Sequence, residues 1–100
     1  MSEDRAARIA RKLRENLHAV HVEVVDESHL HAGHAGARGG AGHFRVLVVS
    51  ERFEGLAPVA AQRLVYAALA EEMGPEIHAL SIRTLSPDRW TAAGLSRSGG

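Results

Sequence analysis

The sequence predicts an α+β domain: a three-stranded mixed sheet with helices on one face. Three observations predict it. Apolar residues recur at three- and four-residue steps over 3–17 and 58–73, the period of a helix with one buried side. They alternate or run together over 20–25, 44–50 and 77–84, as strands do. A long glycine-rich connection between the first two strands allows an antiparallel pair, whereas a helix before the third allows a parallel crossover.

In the first helix Ala6, Ile9, Ala10, Leu13 and Leu17 share a side, and Arg5, Arg8, Arg11, Lys12 and Arg14 crowd opposite them as a solvated face. Ser2 is placed to cap it, while Glu3 and Asp4 suit the positive end of its dipole. Val20, Val22 and Val24 form the inner side of the first strand. In the second strand Phe44, Val46 and Val48 alternate with Arg45, Leu47 and Val49. Both sides are largely apolar, which suits a central strand. Residues 52–56 read as a turn. Pro58 opens the next helix, Ala61, Val65, Ala68, Leu69 and Met73 are its core row, and Gly74-Pro75 stops it. In the third strand His78 falls in register with Leu80 and Ile82. Ser86 caps a short helix that starts at Pro87 and carries Trp90. The order α-β-β-α-β-α resembles the type II KH topology. One domain over 1–93 and a disordered tail over 94–100 are expected.

Composition bounds the function. Lys plus Arg and Asp plus Glu number 12 each, so the chain has no net charge with neutral histidines. That weighs against binding driven by phosphate neutralisation. There is no Cys, which rules out a thiolate site built by this chain alone and suits a reducing cytoplasm. No run approaches the ~20 apolar residues of a membrane span, and no export signal is evident. A soluble, cytoplasmic chain, monomeric when isolated, is expected. No Ser/His/Asp arrangement or phosphate-cradling loop stands out. The carboxylates Asp26 and Glu27 lack a substrate-positioning group, so enzyme activity is not expected. Gly36-Ala37-Arg38-Gly39 matches the clamp of KH domains, yet it joins strands where the clamp joins helices.

The residues that carry chemistry are histidines, seven in all. His29, His31, His34 and His43 fall in a stretch rich in Gly and Ala. His18 and His21 flank the first helix–strand turn as surface residues, and His78 opens the third strand. Neutral imidazole is the commonest metal ligand, and it titrates near neutrality. From the residues alone, the cluster suits a metal site of two or three histidines, a proton sensor, or a solvated loop. From the residues alone, His78 better suits a packed, hydrogen-bonded place at the core edge than the role of a ligand. The connection over 27–42 has little to bury and is expected to be the most mobile internal segment.

Four segments in order resemble the BolA proteins over roughly residues 5–91. Asp26-Glu27-Ser28-His29 leads into His31-Ala32-Gly33-His34. Gly42-His43-Phe44 opens the second strand. Val49-Ser50-Glu51-Arg52-Phe53-Glu54-Gly55 joins strand to helix, with Arg63-Leu64-Val65-Tyr66 inside that helix. Ile77-His78-Ala79-Leu80 starts the third strand and is followed by Ser86-Pro87 and Trp90. The chain departs from the family at Ala61-Gln62, where Arg-His is common, and in its enlarged loop after His34.

The resemblance implies a non-enzymatic partner of monothiol glutaredoxins that shares a [2Fe–2S] cluster with them, in iron–sulfur trafficking or iron regulation. The glutaredoxin gives its active-site thiolate and a glutathione thiolate, and this side gives two imidazoles. The family pattern assigns one to His78 and the other to the loop, at His31 with His34 as the nearest substitute. No cofactor is expected on the isolated chain. Imidazole ligation raises a cluster's potential, and imidazoles bind only when neutral, which makes the cluster transferable. The runner-up is a nucleic-acid-binding transcriptional regulator, which draws on the KH-like topology and a DNA-binding role also proposed for the family. The zero net charge and Ala61-Gln62 count against it.

Overall fold

The computed structural model describes residues 4–28 and 42–92. Expectations placed on His29, His31 and His34, on the mobility of residues 29–41, and on the tail over 94–100 lie outside the described residues. The first helix, α1, spans Arg5–Leu17. It starts two residues later than expected, and Asp4 rather than Ser2 is its cap, with Oδ1 accepting the Ala7 amide at 2.7 Å. It ends at His18, whose φ of 50° is left-handed, a conformation that histidine tolerates better than most residues. Strand β1 (His21–Asp26) runs antiparallel to β2 (Gly42–Val49), pairing from His21↔Val49 to Asp26↔Phe44. A 3₁₀ turn over Glu51–Phe53 leads to α2, Pro58–Ala68. Strand β3 (Ile77–Leu85) returns parallel to β2, and β2 lies in the centre of the sheet. Ser86 Oγ accepts the Arg89 amide at 3.3 Å and caps α3, Pro87–Ala92.

The expected α+β class and mixed sheet are present. Ile9, Leu13 and Leu17 of α1, with Ala61, Val65 and Leu69 of the second helical segment, are buried against Phe44, Val46 and Val48. Both long helices therefore cover one face. The short α3 refines this picture. Trp90 is buried and stacks on His21, with ring centroids 4.5 Å apart. His21 pairs with Val49, one position out of phase with the Phe44–Val46–Val48 row, so α3 closes over one end of the opposite face.

Three local expectations need correction. Val20 precedes β1 and is 62% exposed, so it contributes nothing to the inner row. Helix α2 stops at Ala68 rather than Met73, although Leu69 stays in the core. From there the chain winds through turns, with the amides of Glu76 and Ile77 both donating to the Glu72 carbonyl at 2.9 Å. Gly74, at φ 97°, serves that turn rather than a helix end.

The cations of α1 are not simply a solvated face. Arg8 pairs with the Glu76 carboxylate, and Arg5 Nη1 donates to the Glu76 carbonyl at 3.1 Å. Lys12 Nζ lies 2.6 Å from Glu71 Oε1 and 2.7 Å from Glu72 Oε2. These contacts bind α1 to the turn that launches β3. Glu72 is buried, and its Oε1 has no hydrogen-bond partner among the described residues. Among those residues no helix is long and apolar enough to cross a membrane.

Two outcomes are expected. A Cβ on Gly42 would lie 2.1 Å from Ser28 Oγ and 3.1 Å from the Phe44 ring. Gly42→Ala should lower the unfolding free energy by about 1–3 kcal/mol in urea titration, and adding Ser28→Ala should recover part of that loss. The second concerns pH. Hydrogen bonds to Glu71, and next to Glu72, hold the Lys12 ammonium above its ordinary pKa, while Lys12 holds Glu71 below the ordinary carboxylate value. The Glu71 contribution is present above that ordinary value and is lost as pH falls through the depressed one. The Lys12 contribution is lost as pH rises through its raised value. Lys12→Met should lower the neutral thermal midpoint and flatten its decline in acid.

Candidate functional site

A one-residue slip between β2 and β3 removes His78 from the strand alternation. Gly42 pairs with Ile77 and His43 pairs with Ala79, leaving His78 opposite neither. Such a bulge re-aims the extra side chain. Ile77 takes the inward place and is 1% exposed. Leu80 and Ile82 face the same core through their pairing with Phe44 and Val46. A regular strand would align His78 with Leu80 and Ile82, as its alternation predicts. The bulge instead leaves His78 exposed, and among the described residues its ring has no hydrogen-bond partner. The packed alternative for this residue is thereby corrected.

The next imidazole is His43, across the strand pair. It is half-buried, with its amide donating to Ser28 Oγ at 3.2 Å and its carbonyl accepting the Glu27 amide at 2.8 Å. Its Nε2 lies 3.9 Å from Glu27 Oε1. The other Glu27 oxygen is 2.8 Å from Arg45 Nη2, and the Glu27 side chain is only 14% exposed. Asp26 Oδ1 accepts the Ser28 amide at 2.9 Å and closes a local turn. Asp26 and Glu27 are thus structural: one shapes the chain exit from β1, and the other neutralises Arg45.

Ser28 and Gly42 bound residues 29–41, and Ser28 Oγ occupies the space that a Gly42 side chain would need. The segment carrying His29, His31 and His34 therefore leaves and re-enters the described fold at one point. That point adjoins β3, because the Gly42 amide donates to the Glu76 carbonyl at 3.0 Å. His31 and His34 themselves lie outside the described residues. Among the described residues no group of three or more His, Cys, Asp or Glu side chains is placed to hold a metal ion. His78 is a single donor there, not a closed site.

Sequence reasoning missed two features. His21, expected at the surface, is half-buried between Trp90 and Glu23, with Nε2 2.7 Å from Glu23 Oε2. Glu27 joins His43 to Arg45. Neither leaves a local signal, since Trp90 and Arg45 come from other elements.

Residues 13–89 match a family model described as BolA-like protein. Over 84 residues the chain is 50% identical to BolA-like protein 1 of Homo sapiens, an alignment covering 84% of this chain and 59% of that protein. It is 44% identical over 82 residues to a Vibrio cholerae protein named DNA-binding transcriptional regulator BolA, covering 82% and 74% of the two chains. The solved structure of BolA1 from Arabidopsis thaliana superposes with a TM-score of 0.75 at 42% identity, covering 89% of this chain and 98% of that one. The chain spans about three fifths of the length of the mammalian relatives it matches.

The bulge separates two neighbours energetically. His78→Ala is expected to change stability by less than about 0.5 kcal/mol, as an exposed substitution without partners does. Ile77→Ala should remove about 2–5 kcal/mol. Urea titration of the two variants checks the contrast, and a large loss for His78→Ala would contradict the exposed placement.

Proposed function

The chain belongs to the BolA-like protein family, and on that premise we propose that it is a non-enzymatic adaptor sharing a [2Fe–2S] cluster with a monothiol glutaredoxin. In this reading His78 supplies one imidazole and His31 the other, with His34 as the substitute. The glutaredoxin and glutathione supply the thiolates that a chain without cysteine lacks. The proposed role is iron–sulfur trafficking or iron regulation in a reducing compartment, the cytoplasm.

His78 is the observation that supports this reading most. A histidine kept for packing is covered by neighbours and hydrogen-bonded, as the half-buried His21 is. A histidine kept as a ligand needs an open ring nitrogen and a fixed backbone. His78 is exposed, has no partner among the described residues, and sits on a strand. Neutral imidazole suits iron, and a cluster held by imidazoles is released when they protonate. That favours a cluster in transit over a permanent one.

The second reading is a nucleic-acid-binding regulator, which the printed name of the Vibrio cholerae relative favours. The pairing of α1's cations counts against it. Arg5, Arg8 and Lys12 are already engaged by Glu76, Glu71 and Glu72, which leaves less positive surface for phosphates.

The test mixes the chain with a monothiol glutaredoxin, glutathione and iron–sulfur assembly components, then records visible absorption and circular dichroism. A shared cluster is expected. His78→Ala should abolish it, His31→Ala should weaken it, and occupancy should fall in acid because protons compete with iron for the imidazole nitrogens. Wild-type spectra and cluster stability in His78→Ala would overturn the assignment. Silence of His31→Ala, with loss in His34→Ala, moves the loop ligand to His34. Retention on DNA at physiological salt, with no visible cluster, supports the second reading.

A further inference from the structure

We propose that Arg5 and Arg8 are positioning residues for His78: from α1 they grip Glu76 and hold the register slip that turns the His78 imidazole outward. The inference rests on His78 acting as a ligand, although its first test does not.

Glu76 lies two residues before His78 and is held at both of its polar ends. Its carboxylate pairs with Arg8. Its carbonyl accepts from Arg5 Nη1 at 3.1 Å and from the Gly42 amide at 3.0 Å. Arg5 also lies over the Phe44 ring, 5.9 Å from its centroid, so the guanidinium spans the start of β2 and the entry to β3. One turn back, the Glu72 carbonyl holds the amides of Glu76 and Ile77, and its carboxylate is held by Lys12.

The bond from the Gly42 amide to the Glu76 carbonyl selects one of two pairings. In the observed pairing Gly42 faces Ile77, and the Ile77 carbonyl accepts the Gly74 amide at 3.0 Å. In an unslipped parallel ladder Gly42 would face His78, and its amide would meet the Ile77 carbonyl instead. His78 would then join the inner row with Leu80 and Ile82, because a shift of one residue exchanges the faces of a strand. Ile77 would lose its place in the core. Burial of Ile77 and the grip on Glu76 thus favour the same register, and α1 contributes to both, through its core residues and through Arg5 and Arg8.

The Arg8 and Glu76 side chains are 30% and 31% exposed. Such a pair adds little to global stability, but a charged donor on a carbonyl holds local geometry more firmly than a neutral one. The expected signature is a local change without general destabilisation.

The test is the double variant Arg5→Gln/Arg8→Gln. In the isolated protein, nuclear magnetic resonance should show shifted His78 ring signals and faster amide exchange at residues 77–79, with the urea midpoint almost unchanged. With glutaredoxin and glutathione, the cluster should decay about three- to tenfold faster, the range that partly exposed charged contacts support. Arg5→Lys/Arg8→Lys should restore most of the lifetime, which a purely shape-dependent role would not predict. Wild-type His78 signals in the Gln variant overturn the positioning. Shifted signals with an unchanged cluster lifetime overturn its role in ligation. A wild-type chain that forms no cluster refutes the glutaredoxin reading, while the resonance measurement still decides the positioning. Should the double variant fail to fold, Glu76→Gln replaces it, since that change removes the Arg8 pair and keeps the carbonyl bonds.

Discussion

At Gly42 the backbone of β2 is enclosed on three sides. Its amide is bound to the Glu76 carbonyl, Ser28 Oγ fills the volume of the missing side chain, and the Phe44 ring lies against the third side. Both strand pairings are referred to this point. Toward β1, the antiparallel ladder closes at Asp26↔Phe44 and is finished by the Glu27 amide on the His43 carbonyl. Toward β3, the parallel ladder begins at Ile77 and slips before His43. A larger residue would press on Ser28 and the Phe44 ring and displace the backbone at this point. The exit of residues 29–41 and the entry of His78 would then lose their common anchor.

Periodicity exposed most of the architecture because most of it depends on one buried side per element. The apolar stripe of α1 and the Phe44–Val46–Val48 alternation are local, and each survives in the structure as drawn from the residues. What stayed hidden depends on partners far along the chain. Arg8 finds Glu76 and Lys12 finds Glu71 across separations of 68 and 59 positions, so a helix face that reads as solvated is partly pinned. The end of α2 was obscured for another reason. Leu69 and Met73 keep the helical spacing of apolar residues after the helix has given way to turns, because they still face the core. At the site, alternation from Leu80 back to His78 points inward, and only the apolar Ile77 hints that one residue is supernumerary. The family resemblance, not the pattern, marked His78.

Two histidines at opposite ends of the sheet show two ways in which the fold holds an imidazole. His21 lies flat on Trp90 and shares a short contact with Glu23, so its ring is committed to holding α3 against the sheet. His78 is committed to nothing among the described residues. His43 falls between these extremes, half-buried beside a carboxylate that Arg45 already balances. The contrast is one of local construction, since all three side chains belong to strands of a single sheet.

The bulge has a consequence for how such a domain can change over time. In a regular strand every second residue is constrained by the core, and an altered side chain must be repaid by repacking. Position 78 is exempt, because Ile77 discharges the packing duty for it. The scaffold can therefore exchange one side chain for another there without refolding. A substitution at that position escapes the packing constraint, so descendants of one fold could differ there while remaining nearly superimposable in shape.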